Sequence, residues 1–128
     1  MKIWLLVFLG GGIGSLCRYL VSKWITEGNF FRSYPFLGTF LVNITGCFLL
    51  GFFVFYFTEE RFGTLTLQWR FFLVTGLCGG YTTFSSFSFE NLQLISHQQI
   101  FTFLAYAFAS LAIGLLATYT GVLLAKDF

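Results

Sequence analysis

Charge is what this sequence has least of. Charged residues fill 9% of its 128 positions, seven Lys+Arg and five Asp+Glu, where a soluble domain carries about a quarter. So few charges, with one Pro, cannot cover a water-soluble fold of this size. A disordered chain is excluded as well, because disorder needs low hydrophobicity and high charge. No block of Lys or Arg occurs, so the net charge of +2 is scattered and leaves no electrostatic footprint for nucleic acid. The three cysteines, Cys17, Cys47 and Cys78, are odd in number and far apart, which fits neither a disulfide framework nor a zinc site. They read as small buried hydrophobes.

Apolar residues are abundant, at 57% of the chain, and the length allows about four membrane spans of roughly 20 residues. The chain therefore reads as an all-α integral membrane protein, residues 1–128 forming one four-helix transmembrane domain. The spans fall at about 3–25, 36–57, 70–95 and 100–125. Lys2 before an apolar run raises a cleavable signal peptide as the alternative for span one. No A-x-A-like site or lipoprotein cysteine context follows, so the segment reads as a retained span. A polar loop covers Thr26 to Ser33, with Pro35 opening span two; a second covers Thr58 to Gln68, and Ser96-His97-Gln98-Gln99 separates the last two spans. Trp4, Trp24 and Trp69 stand at span ends, as interfacial aromatics do. Four spans put both termini on one side with Lys2, Arg61, Arg70 and Lys126, opposite Lys23 and Arg32 with Arg18 deeper. That bias is weak. It fits termini held in the cytoplasm, and equally a chain that inserts both ways and pairs with its inverted twin.

Polar groups at membrane depth must face protein or water, and three clusters do so. In span one, Gly10 and Gly14 lie four apart within Gly10-Gly11-Gly12-Ile13-Gly14-Ser15-Leu16-Cys17-Arg18-Tyr19, a spacing that suits close helix packing. Arg18 either snorkels to the headgroups or lines an aqueous vestibule that attracts anions. In span two, Thr39 and Asn43 share a face; the Asn amide is either glue between helices or a ligand for a solute. The third cluster, Gly76-Leu77-Cys78-Gly79-Gly80-Tyr81-Thr82-Thr83-Phe84-Ser85-Ser86-Phe87-Ser88, makes poor continuous helix near the bilayer midplane. A break there is either a kink or a set of exposed carbonyls suited to a bare cation. Phe84 and Phe87 follow at i,i+3, with Ser88 and Asn91 beyond. Such a pair is either core or lipid-facing, or two positive ring edges turned to an anion.

These three clusters, in this order, resemble the Fluc family of fluoride channels, also called CrcB proteins. The resemblance implies an antiparallel dual-topology homodimer in a bacterial inner membrane, with two pores and a third helix broken near midplane. It implies passive export of fluoride that has accumulated in the cytoplasm. Phe84 and Phe87 would present ring edges to the ion and Asn43 its amide, with Thr39, Tyr106 and Ser110 adding polar contacts. Gly79 and Thr82 would give backbone carbonyls to a structural, untransported Na+ at the dimer centre, and Arg18 would be the vestibule arginine. Gly114 and Ser86 stand where relatives often carry Ser or Thr, and Thr. Glu90 fits the family pattern but receives no role.

The physics suits that activity. Fluoride is strongly hydrated, so a narrow pore must return many modest contacts without holding the ion. Three other classes compete. A small multidrug antiporter needs a buried carboxylate, for which Glu90 is the one candidate. An intramembrane enzyme would combine Ser85 or Ser86 with His97 and Glu90, which lie on different turns. Pure helix packing would leave transport indifferent to Phe84 and Asn43.

Overall fold

Three stretches are helical and apolar for long enough to cross a bilayer in the computed structural model, which describes residues 2–27 and 33–128. They are α1 (Ile3–Glu27), α2 (Phe36–Tyr56) and α7 (Ile100–Asp127). At about 1.5 Å per residue each spans some 30–40 Å, the thickness of a hydrocarbon core or more. Arg32 and the middle of the first loop lie outside the described residues.

The chain between α2 and α7 is built of short pieces. A turn of helix, α3 (Glu59–Phe62), leads through a 3-10 turn at Gly63–Leu65 into α4 (Thr66–Trp69). The helix then widens into a π-helical run, Arg70–Cys78, and closes with α5 (Gly79–Tyr81). Thr82 and Thr83 are extended, at φ −77°, ψ 157° and φ −147°, ψ 116°, and α6 (Phe84–Ser96) starts afresh. The local reason is chemical. Gly79 and Gly80 are weak helix formers, whereas Thr is better placed as a cap than within a helix. The Thr83 hydroxyl accepts from the Ser86 N–H at 3.2 Å and so serves as the N-cap of α6.

Close backbone contacts give the helix directions. On α1, Gly10 lies against the Phe72 carbonyl and Gly14 against that of Leu77, so α1 runs parallel to the 66–81 segment. On the other side, Gly114 of α7 lies near Ile44 and Cys47 of α2 and Gly121, further along α7, meets the Phe48 carbonyl, so α2 and α7 are also parallel. Gly38, at the start of α2, lies near Ser22, late in α1, which sets those two helices antiparallel. Small residues bring backbones together where no hydrophobic effect drives helix association.

The outside of the molecule is apolar. Phe8, Trp24, Phe84 and Phe101 are all more than 70% exposed, while the buried hydrophobic set is confined to residues such as Leu6, Val42, Cys78, Tyr81 and Tyr106. A soluble domain does not display aromatic rings on this scale. The protein is an all-α, multi-pass membrane protein, with lipid as its solvent.

Candidate functional site

The break at Thr82–Thr83 frees backbone groups that a continuous helix would have paired, and each is met differently. The Cys78 carbonyl accepts from the Thr82 N–H at 3.0 Å and the Thr82 hydroxyl at 2.9 Å. The Gly80 carbonyl accepts from Arg18 Nε at 3.2 Å and Ser15 Oγ at 3.3 Å. Between them, the Gly79 carbonyl loses its natural donor, the Thr83 N–H, to the Asn43 side chain. Asn43 grips Thr83 from both sides: Oδ1 accepts from the Thr83 N–H at 2.8 Å, and Nδ2 donates to the Thr83 carbonyl at 3.1 Å. Among the described residues, no donor reaches the carbonyls of Gly79 or Thr82. Hard carbonyl oxygens with no internal partner suit a small cation such as Na+, so the residues expected to hold that ion have the right chemistry for it.

Asn43 is therefore both clamp and candidate ligand. An amide has two N–H groups, and the clamp uses one. Asn43 also lines a cavity of about 350 Å³, which it shares with Thr82, Thr83, Phe84, Phe87 and Ser110. Among the described residues, no charged side chain lines it. The two phenyl centroids are 5.9 Å apart with the rings tilted by 38°. Phe84 is largely exposed, 79% of its surface being open, whereas Phe87 is half-buried and meets Tyr106 edge-on at 5.1 Å. The Ser110 hydroxyl is buried and, among the described residues, has no hydrogen-bond partner. One turn on, a Cβ at Gly114 would sit 3.6 Å from Cys47 Sγ, and Cys47 lines the same cavity. This wall brings together two phenyl rings, an amide side chain and a hydroxyl with no hydrogen-bond partner among the described residues. It can receive a small anion without a fixed positive charge to trap it.

Thr39 and Tyr106 lie apart from that wall, on Glu90. Thr39 Oγ1 donates to Glu90 Oε1 at 2.6 Å and the Tyr106 hydroxyl donates to Oε2 at 2.8 Å. Both donors are buried, at 8% and 4% exposure. Glu90, which the sequence left without a role, is thus the point where α2, α6 and α7 are joined. The sequence does hold the signal: a carboxylate one turn beyond Phe87 in an apolar helix needs donors, and membrane carboxylates mark functional sites by default.

Arg18 lines a second cleft, of about 370 Å³, with Ser15, Ser22, Thr39, Thr83 and Ser86. Its reach to the Gly80 carbonyl ties this basic cleft to the back of the break. Thr83 belongs to both cavities and Thr39 joins the cleft to Glu90. The enzyme alternative finds no such assembly. The Ser85 and Ser86 hydroxyls bond to Thr83, and among the described residues neither hydroxyl is hydrogen-bonded to His97. The antiporter's carboxylate exists in Glu90, but both its oxygens are held by hydroxyls.

The family described as CrcB-like protein, Camphor Resistance (CrcB) matches residues 5–122 of this chain. A protein of Flavobacterium psychrophilum named fluoride-specific ion channel FluC is 44% identical over 99% of each chain. Proteins of the same name from Bacteroides fragilis and Leptospira interrogans are 44% and 41% identical. The first alignment covers 100% of this chain and 99% of the relative. The second covers 99% and 97%.

Proposed function

The chain belongs to the CrcB family, a family of ion channels rather than enzymes, and from that premise we propose that it is a fluoride-selective channel of the bacterial plasma membrane. It lets fluoride leave the cytoplasm passively, down its electrochemical gradient, and so relieves fluoride toxicity. The observation that carries the reading is the uncharged cavity at the break, lined by Phe84, Phe87, Asn43 and Ser110, whose buried hydroxyl has no partner among the described residues.

The mechanism follows from what each group can return to a dehydrating ion. Ring edges carry the positive end of the phenyl quadrupole. The amide N–H and the hydroxyl donate hydrogen bonds that water would otherwise supply. None is a permanent charge, so the ion is accepted and released. Arg18, in its polar cleft, raises the local concentration of anions over cations before they reach the break. Thr39 and Tyr106 continue the polar contacts beyond Phe87 and hold Glu90 away from the ion's path.

The working unit is an antiparallel homodimer of four-span subunits inserted in both orientations. The largely exposed Phe84 ring supports it, because a pore wall open on one side needs a second surface to close it. The Gly79 and Thr82 carbonyls would hold a structural Na+, which would supply positive charge to offset the unpaired carbonyls at the break. Asn43 keeps the Gly79 carbonyl available by removing its donor.

Purified protein in liposomes loaded with fluoride or chloride tests the reading, with efflux followed by an ion-selective electrode. Rapid fluoride efflux, slow chloride efflux and loss of the fluoride signal in Phe84→Ile/Phe87→Ile are expected. Fluoride efflux that survives the double substitution would move the pathway elsewhere. No efflux from a folded, dimeric protein would remove the channel assignment.

A further inference from the structure

The end of the molecule away from the break carries an arrangement that conduction does not use. A groove of about 280 Å³ lies between the end of α2 and the start of the π-helical run, lined by Val54, Leu67, Arg70, Phe71, Val74 and Thr75. Its lining is apolar apart from Arg70 and Thr75. Phe71, Val74 and Thr75 lead from Arg70 towards the middle of the helix, along the widened face of the π segment. π-helical turns often mark functional sites. The groove therefore has a cationic end and an apolar length.

Arg70 is held in place rather than waving. Its Nη2 donates to the Val54 carbonyl at 2.7 Å, one of the last-turn carbonyls of α2 that have no helical partner. The rest of the guanidinium fork is left over. Among the described residues no carboxylate lies within salt-bridge distance of it; the ion pair found among them joins Lys23 and Glu27 of α1. The cations around it are occupied differently: Arg61 sits 5.4 Å from the Tyr56 ring centroid and Lys126 5.6 Å from that of Phe55. Trp69, beside Arg70, is exposed, as an aromatic at the headgroup level would be.

We propose that this groove binds a phospholipid with an anionic headgroup, the phosphate on the free face of the Arg70 guanidinium and one acyl chain along Phe71 and Val74. The planar fork suits phosphate oxygens, and charge complementarity selects the anionic lipid. The rise from Arg70 to Thr75 leads from the headgroup layer into the hydrocarbon, the direction an acyl chain takes. This site is independent of the ion that the break conducts.

Native mass spectrometry of the full-length protein, titrated with phosphatidylglycerol and with phosphatidylcholine of identical acyl chains, tests the proposal. A preference of about fivefold for the anionic lipid is expected, the worth of one basic side chain at a membrane surface. Arg70→Gln should reduce it to parity, Arg70→Lys should keep most of it, and Val74→Trp should weaken both lipids by filling the groove. Circular dichroism and monodisperse elution identify folded variants, and Val74→Trp decides the matter if Arg70→Gln does not fold. Inorganic phosphate at the same concentration should displace neither lipid, since it has no chain to bury. Equal binding of the two lipids, an undiminished preference in folded Arg70→Gln, unchanged binding in folded Val74→Trp, or displacement by phosphate would overturn the proposal. So would spontaneous Thr75→Cys cross-linking between copies, which would make this face a protein interface.

Discussion

The α2–α7 pair and the break at Thr82–Thr83 treat the backbone in opposite ways. Along α2 and α7, Gly51 and Gly121 let each helix rest on a carbonyl of the other, and the ladder of each helix is kept. At the break, one turn of ladder is surrendered and its groups are passed to Asn43, Thr83, Ser15 and Arg18. The first arrangement makes a stiff frame out of residues with almost no chemistry. The second spends side-chain chemistry on the backbone and leaves a little of it unspent, in one Asn43 proton and the Gly79 and Thr82 carbonyls. In a membrane, where an unpaired group costs several kcal/mol, that remainder is where function concentrates.

Removing the clamp should have the largest effect. Asn43→Leu strands the Thr83 N–H and carbonyl together, at about 1–3 kcal/mol each, so detergent-solubilised protein should melt well below the parent and fluoride efflux should cease. A parent-like melting temperature would mean that the break is held by something other than Asn43. The frame should answer next. Gly121→Val drives a branched side chain into the Phe48 carbonyl and should cost about 1–3 kcal/mol by overpacking, lowering the melting temperature and the yield of folded protein together. A neutral result would show that α2 and α7 can slide apart freely.

The Glu90 junction should respond less. Thr39→Val and Tyr106→Phe each remove one hydrogen bond to the carboxylate, about 1 kcal/mol in a membrane interior. Stability should fall slightly, whereas fluoride efflux should fall several-fold because Glu90 is no longer held on both oxygens. Equal proportional losses in stability and efflux would reduce the junction to packing. Smallest of all is Gly114→Ala. The added Cβ meets Cys47 Sγ at 3.6 Å, ordinary contact, and alanine favours the helix by up to about 1 kcal/mol. This glycine in α7 should therefore tolerate substitution, with a melting temperature equal to or slightly above the parent, while Gly121 does not.

Much of this architecture was legible in the sequence, for reasons that are local. Apolar length marked α1, α2 and α7, and Gly79-Gly80-Tyr81-Thr82-Thr83 combined weak helix formers with capping residues where the helix breaks. What the sequence did not reveal lies in contacts between distant positions. Asn43 and Thr83 are 40 residues apart, and Thr39 and Glu90 are 51 apart. No spacing rule shows that the amide is already half used by the backbone, or that Thr39 and Tyr106 meet on one carboxylate. The widening of Arg70–Cys78 into a π-helix was also hidden. Its residues carry no proline, and α1 approaches it through Gly10 and Gly14 on a different helix.

The central claim is that fluoride passes the break by way of the Phe84–Phe87–Asn43–Ser110 wall. The most direct measurement is 19F solid-state NMR of fluoride in the reconstituted protein, with magnetisation transfer to isotopically labelled Phe rings and Asn side chains. Transfer to the Phe rings and the Asn43 amide, with the ring signal abolished in Phe84→Ile/Phe87→Ile, is the result this account predicts. Bound fluoride that transfers to Arg18 and its serines but never to the rings, in protein that still conducts, would contradict it.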